Sequence, residues 1–215
     1  MQKTVPLEYG EYYHIYNRGN NRDNIFFEEK NFEYFLKLYV KYIVPVADTY
    51  AYCLLKNHFH FLVRIKTVEE QISVLTHEQT SEVSKTSEVS TSIKVLNPTQ
   101  QVANLLNSYT KSINKAYQHV GSLFQSRFGR IRVDSDSYFI HLVTYIHRNP
   151  EKHGFVDDFR TYPYSSYRAI SHQKASQVKS EKVLGWFGNL DTFNNCHQTW
   201  NNEKQIVHLI GDDWF

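Results

Sequence analysis

Aromatic and β-branched runs, together with apolar residues spaced three and four apart, divide the chain into a short series of elements. Residues 11–16 (Glu-Tyr-Tyr-His-Ile-Tyr) predict a strand, closed by Asn17-Arg18-Gly19-Asn20-Asn21, where Gly and Asn tolerate left-handed φ. Phe32, Phe35, Leu36, Tyr39, Tyr42 and Ile43 lie on one helical stripe, predicting a helix from about Glu29 to near Pro45. Residues 48–55 and 58–65 are apolar runs separated by Lys56-Asn57, the pattern of a tight β-hairpin. A second helix starts at Asn97-Pro98-Thr99 and carries Val102, Leu105, Leu106, Tyr109, Ile113, Ala116 and Tyr117 on one stripe to about His119. Gly121 breaks it, residues 124–133 predict a strand, and 136–148 a helix entered through Asp134-Ser135-Asp136-Ser137 and stopped by Pro150. The order β-α-β-β-α-β followed by a helix predicts an α+β fold built on a ferredoxin-like split β-α-β sheet, antiparallel, with helices on one face.

Two stretches fall outside this pattern. Thr80-Ser81-Glu82-Val83-Ser84-Lys85 is nearly repeated as Thr86-Ser87-Glu88-Val89-Ser90, too polar to bury much surface, so residues 67–97 are expected to form a flexible insertion. Beyond a short helical run near 165–171 the chain is weakly patterned. The expected organisation is one unit over 1–170 and a C-terminal extension over 171–215 whose role the pattern does not give.

Composition narrows the class. Across 215 residues, 24 Lys and Arg against 22 Asp and Glu give a net charge of +2, which excludes a globally basic nucleic-acid coat but allows a local basic face. Aromatics at 15% with only 8 Gly and 5 Pro describe an ordered, packed protein. Cys53 and Cys196 form no CxxC pair, arguing against a disulfide framework or a thiolate zinc site. No run approaches eighteen apolar residues, and the first six residues contain no apolar signal segment. The expectation is a cytoplasmic protein with no membrane partner.

The candidate chemistry lies in two places. His58 and His60 are i and i+2 on the second hairpin arm, so their imidazoles project from one face and could share a divalent cation. In a chain with 11 histidines the triplet also arises by chance. Tyr145 and Asn149 are four apart on the helix before Pro150 and share a face, offering an oxygen nucleophile and an amide oxygen as third ligand. A core tyrosine and a helix-end asparagine satisfy the same spacing. His14, His141, His147 and His153 are rivals for the metal, with His141, four residues before Tyr145, the stronger one. Tyr138, seven residues earlier on a similar face, competes with Tyr145 as nucleophile. Asn17 and Arg18 lie in a polar, basic loop. Arg130 and Arg132 share a strand face, which Arg127 joins only if Gly129 marks a bulge. This set suits DNA phosphates, or else a strand edge guarded by charge.

Asn57-His58-Phe59-His60-Phe61-Leu62-Val63, Tyr145-Ile146-His147-Arg148-Asn149-Pro150 and Tyr162-Pro163-Tyr164-Ser165-Ser166-Tyr167, in this order, resemble the bacterial single-strand DNA transposases of the HUH class, most of all the REP-associated tyrosine transposases. The resemblance spans about 12–170, apart from the insertion. It implies a ferredoxin-like palm, Mg²⁺ or Mn²⁺ on His58 and His60, and Tyr145 as the single nucleophile, cleaving and rejoining single-stranded or hairpin DNA through a 5′-phosphotyrosine. Asn149 would be the third metal ligand, where the insertion-sequence members carry Gln. Transposases of this class often act as dimers, so a homodimer is one expectation and a monomer the other. The alternative is a hairpin-DNA-binding protein that kept the scaffold without turnover.

Overall fold

The computed structural model describes residues 5–82 and 94–199. Its centre is a four-stranded antiparallel sheet of β1 (Tyr12–Arg18), β2 (Ala47–Leu55), β3 (His58–Ile65) and β4 (Gly129–Val133), in the order β2-β3-β1-β4. β1 and β2 are held apart by β3, as the split β-α-β plan requires. Helix α1 (Glu29–Tyr42) connects β1 to β2, and the hairpin turns at Lys56-Asn57. Helices α2 (Val68–Glu82) and α3 (Pro98–Tyr117) lead from β3 towards β4. Helix α4 (Asp136–Lys152) follows β4, and α5 (Tyr167–Ser171), α6 (Ser180–Phe187) and α7 (Leu190–Thr199) complete the described chain.

Strand alternation sorts the side chains into two cores. Tyr13, Ile15, Leu54, Phe59, Phe61 and Val63 pack with Phe35, Tyr39, Leu105 and Tyr109 of α1 and α3. Tyr16, Cys53, Leu55, Leu62 and Val133 pack with Phe139, Leu142, Val143 and Ile146 of α4 and with Val183, Phe187 and Phe193 of α6 and α7. The expected pair of helices therefore occupies one face, and α4 with the C-terminal helices covers the other.

Local signals set most boundaries. Asn97 accepts the Gln100 amide at 3.0 Å with Pro98 behind it in the first turn of α3, and Ser135 accepts the Tyr138 amide at the start of α4. Gly129 is required sterically, because a Cβ there would enter the Tyr16 ring. β1 runs two residues past its expected end, through Asn17 and Arg18, because β3 continues to pair with it and Gly19 N–H donates to the Asn57 carbonyl at 2.8 Å. The expected strand over 124–133 is ordered as β4 only from Gly129, with Phe124 in an isolated bridge to Gly19.

Two expectations are corrected. Residues 68–82 form α2 where a flexible segment is expected, since Glu and Gln are good helix formers despite the polar pattern. Most of the near-repeat lies outside the described residues. Pro150 does not stop α4, which continues to Lys152, with His153 N–H returning to the Asn149 carbonyl at 3.0 Å and Phe155 N–H to that of Pro150 at 2.8 Å. The proline removes one amide without ending the turn. Both cysteines are free thiols.

Candidate nucleic-acid cleavage site

β3 places His58 and His60 on the α4 face of the sheet, opposite Arg18 and Tyr16 of β1 and Leu55 and Cys53 of β2. Both histidines are buried. Helix α4 lies across them, bringing the Tyr145 ring edge-on to His60 at 5.5 Å between centroids, and to His14 at 6.5 Å. One turn later the Asn149 Nδ2 donates to the Tyr145 carbonyl at 2.9 Å, and the Asn149 side chain acts directly on the His58 imidazole. The four residues singled out in sequence, His58, His60, Tyr145 and Asn149, are thus in one cluster.

Charge and hydrogen bonding give the cluster its character. Burial first, then the charges of His153 and Arg18, hold His58 well below the ordinary histidine pKa; burial first, then His14, His58, His153 and Arg18, does the same for His60. Both are neutral, the state in which imidazole ligates metals. His58 Nδ1 bonds to Asn57 Oδ1 at 2.7 Å and His60 Nδ1 to His14 Nε2 at 2.9 Å, so each ring is anchored through Nδ1, as metal-ligating histidines usually are. Asn149 Oδ1 is buried and has no hydrogen bond of ordinary geometry. Among the described residues no three His, Cys, Asp or Glu side chains converge on a metal position. A cation held by the two histidines would therefore need oxygen from the Asn149 amide and from substrate, and the donor set of two imidazoles and an amide fits that role.

The rival residues separate. His14 and His153 join the cluster, His153 with its ring 4.8 Å from that of His58. His147 does not: it bonds to His197 at 2.8 Å and to Ser166 Oγ at 2.7 Å in the C-terminal core. His141 is half-buried and, among the described residues, no hydrogen bond or ring contact joins it to the cluster. Tyr138 is buried beside Tyr145, its hydroxyl pushed well above the ordinary tyrosine value by burial and then by Tyr16, Asp134 and Tyr145. Lys152 was not anticipated. It holds its ammonium 5.5 Å from the Tyr145 ring centroid, and its only sequence signal is a position seven residues after the tyrosine on the same helix.

The basic residues divide between the two sheet faces. Arg18, buried, lies with the histidines and depresses their basicity. Asn17, next to it, points the other way and lines a cleft of about 750 Å³ with Arg127, Arg130, Asn107, Thr110 and Gln125. Arg130 and Arg132 share that face by register, opposite Ile15 and Tyr13, and Arg127 reaches the cleft from the loop before β4, without a bulge at Gly129. Arg132 is engaged by Glu8 at 3.3 Å and Glu11 at 2.8 Å and is not part of the cleft.

The third motif has a structural place. Residues 164–166 run beside β2, with Leu54 N–H donating to the Tyr164 carbonyl at 2.9 Å and Ser166 N–H to that of Tyr52 at 3.0 Å. Tyr162 closes on the Leu54 carbonyl at 2.8 Å. The motif therefore covers the sheet edge and presents Ser166 to His147 on α4.

No family model matches the chain. A Haemophilus influenzae protein named for the REP-associated tyrosine transposases is 26% identical over 145 residues, 67% of this chain and 69% of that protein. Among solved structures, that of a REP-associated tyrosine transposase bound to a REP hairpin superposes with a TM-score of 0.55 at 14% identity, covering 85% of this chain and 93% of the other. The chain thus resembles this family in sequence and shares the fold of the solved member.

Proposed function

We propose that the protein cleaves and rejoins single-stranded or hairpin DNA, with Tyr145 as nucleophile and a divalent cation, Mg²⁺ or Mn²⁺, on His58, His60 and Asn149. The similarity to the REP-associated tyrosine transposases, one of them solved with a hairpin, supports the DNA substrate. The observation that carries the chemistry is the Tyr145 ring set against His60 at 5.5 Å, with His58 and Asn149 beside it.

The residues divide the work as follows. A bound cation would polarise the scissile phosphate, which is a poor electrophile on its own. Arg18 and Lys152 supply positive charge where the phosphate and the developing phenolate would lie. The Tyr145 oxygen bonds to phosphorus, the bond from phosphorus to the 3′ oxygen breaks, and the departing 3′ oxygen ends with the proton that the phenol gave up. A phosphodiester is exchanged for a phosphotyrosine, so a 3′-hydroxyl of another strand can reverse the step without a nucleoside triphosphate. Asn17, Arg127 and Arg130 are assigned to phosphate contacts outside the reacting centre, whereas Arg132 is already held by Glu8 and Glu11.

A second reading, a hairpin-DNA-binding protein without turnover, is favoured by one observation: Tyr145 exposes none of its surface. One experiment separates them. The full chain is incubated with labelled single-stranded hairpin DNA from its own genomic flanks and Mg²⁺ or Mn²⁺, then run on a denaturing gel. Covalent protein–DNA adduct is expected, abolished by chelator and by Tyr145→Phe but not by Tyr138→Phe. Binding without adduct in the parent selects the second reading, and adduct in Tyr145→Phe, mapped to another side chain, removes Tyr145 from its role.

A further inference from the structure

The cation site contains a proton whose position is not fixed by the two histidines alone. His14 of β1 and His60 of β3 form a diagonal pair on one sheet face, His14 lying opposite Leu62 in register. Their rings stack at 5.1 Å between centroids and 22° between planes, joined by a hydrogen bond between His14 Nε2 and His60 Nδ1 at 2.9 Å. A hydrogen bond between two ring nitrogens takes one proton, supplied by one ring and accepted by the other. Two arrangements satisfy that bond. If His14 donates, His60 carries its own proton on Nε2, and that nitrogen cannot ligate a cation. If His60 donates from Nδ1, its lone pair sits on Nε2.

We propose that His14 is a positioning residue for cation binding: in the loaded site it accepts a hydrogen bond from the Nδ1 proton of His60 and so supports the neutral tautomer of His60 whose Nε2 can ligate a metal ion. This inference rests on the metal-dependent reading above. His58 shows the contrast. Its Nδ1 partner is the Asn57 amide oxygen, which can only accept, so its tautomer is settled by the partner's chemistry. His14 can accept or donate, and its other nitrogen, Nδ1, is buried without a hydrogen-bond partner among the described residues. Nothing behind His14 therefore dictates its tautomer. A cation on His60 would select one arrangement of the pair, so loading the site and placing this proton are a single event.

The test uses the full chain and Mn²⁺ as probe, with affinity measured by titration calorimetry and by the electron paramagnetic resonance signal of free ion. His14→Phe keeps a ring and removes the acceptor, so affinity is expected to fall about 10–100-fold, the usual loss when a ligand's supporting hydrogen bond is removed. His14→Gln offers an amide oxygen that can accept, and its affinity is expected to lie nearer the parent than His14→Phe. Ring ¹⁵N resonances of the parent loaded with Mg²⁺ should show His60 protonated on Nδ1. Parent-like affinity in His14→Phe, or an Nε2-protonated His60 in the loaded parent, overturns the proposal. If His14→Phe does not fold, judged by circular dichroism, the ring spectrum of the parent decides. A parent that binds no Mn²⁺ defeats the metal-dependent function and the His14 assignment with it, whereas either contrary result above in a parent that binds Mn²⁺ overturns the His14 assignment alone.

Discussion

At the scale of single residues, two arginines of one strand face should behave differently. Arg130 lines the cleft, its guanidinium 4.7 Å over Phe128 and bonded to Thr99 Oγ1 at 3.2 Å, with no carboxylate in ion-pair range among the described residues. Burial, with Arg127 adding to it, depresses its basicity, the state of a cation short of a counter-charge. Arg132 already has Glu8 and Glu11. Arg130→Ala is therefore expected to weaken hairpin binding and to reduce the log–log salt slope by about 1, whereas Arg132→Ala should leave the slope unchanged. Fluorescence anisotropy at several salt concentrations measures both, and equal slopes for the parent and Arg130→Ala would remove Arg130 from the interface. The pairing of His58 with His60 was legible because strand parity is a local property. The company they keep was not. Arg18 reaches them through β1–β3 pairing, and His14 by a diagonal across the same two strands, so neither follows from spacing along the chain.

At the scale of elements, α4 is fastened to the C-terminal helices by a buried chain of hydrogen bonds. The backbone donor of Tyr52 meets Ser166 Oγ at 2.9 Å, Ser166 Oγ meets His147 Nε2 at 2.7 Å, His147 Nδ1 meets His197 Nε2 at 2.8 Å, and His197 Nδ1 ends on the Phe193 carbonyl at 2.7 Å. Because the carbonyl can only accept, one pattern satisfies the whole chain, each proton pointing towards Phe193. His197→Phe removes the acceptor from His147 Nδ1 within a fully buried site, so a loss of about 1–3 kcal/mol is expected in urea unfolding. Stability equal to the parent's would show that the chain does not tie α7 to α4. The entry of α4 was legible from its Ser and Asp residues. Its exit was not, because a proline reads as a stop wherever the preceding turn is not already held by packing. The weak pattern beyond 171 reflects short helices of 8 and 10 residues, whose apolar positions are too few to establish a period.

At the scale of the whole molecule, five histidines among the described residues are buried with depressed pKa values: His14 at about 3, His197 at about 4, and His58, His60 and His147 also well below the ordinary value, burial being the first cause in each. The unfolded chain takes up protons near pH 6.5 that the folded chain refuses, so the folded state loses ground as acid is added. This contribution should be complete above about pH 6.5 and disappear as pH falls towards 4 and below. Urea midpoints measured from pH 8 down to 4 should be level at first and then decline, and level values down to pH 4 would mean that the histidines are not held neutral. The sheet plan was legible because hairpin, caps and helix stripes are each encoded within a few residues. The occupation of both faces was not, since it depends on where α4 returns. The alternation in β3 has a further consequence. Phe59, Phe61, Val63 and Ile65 face one core, while His58, His60 and Leu62 face the other. The proposed cation site and one of the cores are written on the same eight residues in alternate letters, and only the reading frame keeps them apart. Inserting one residue near the middle of β3 would swap the two messages beyond that point, so the segment can drift by substitution far more readily than by change of length.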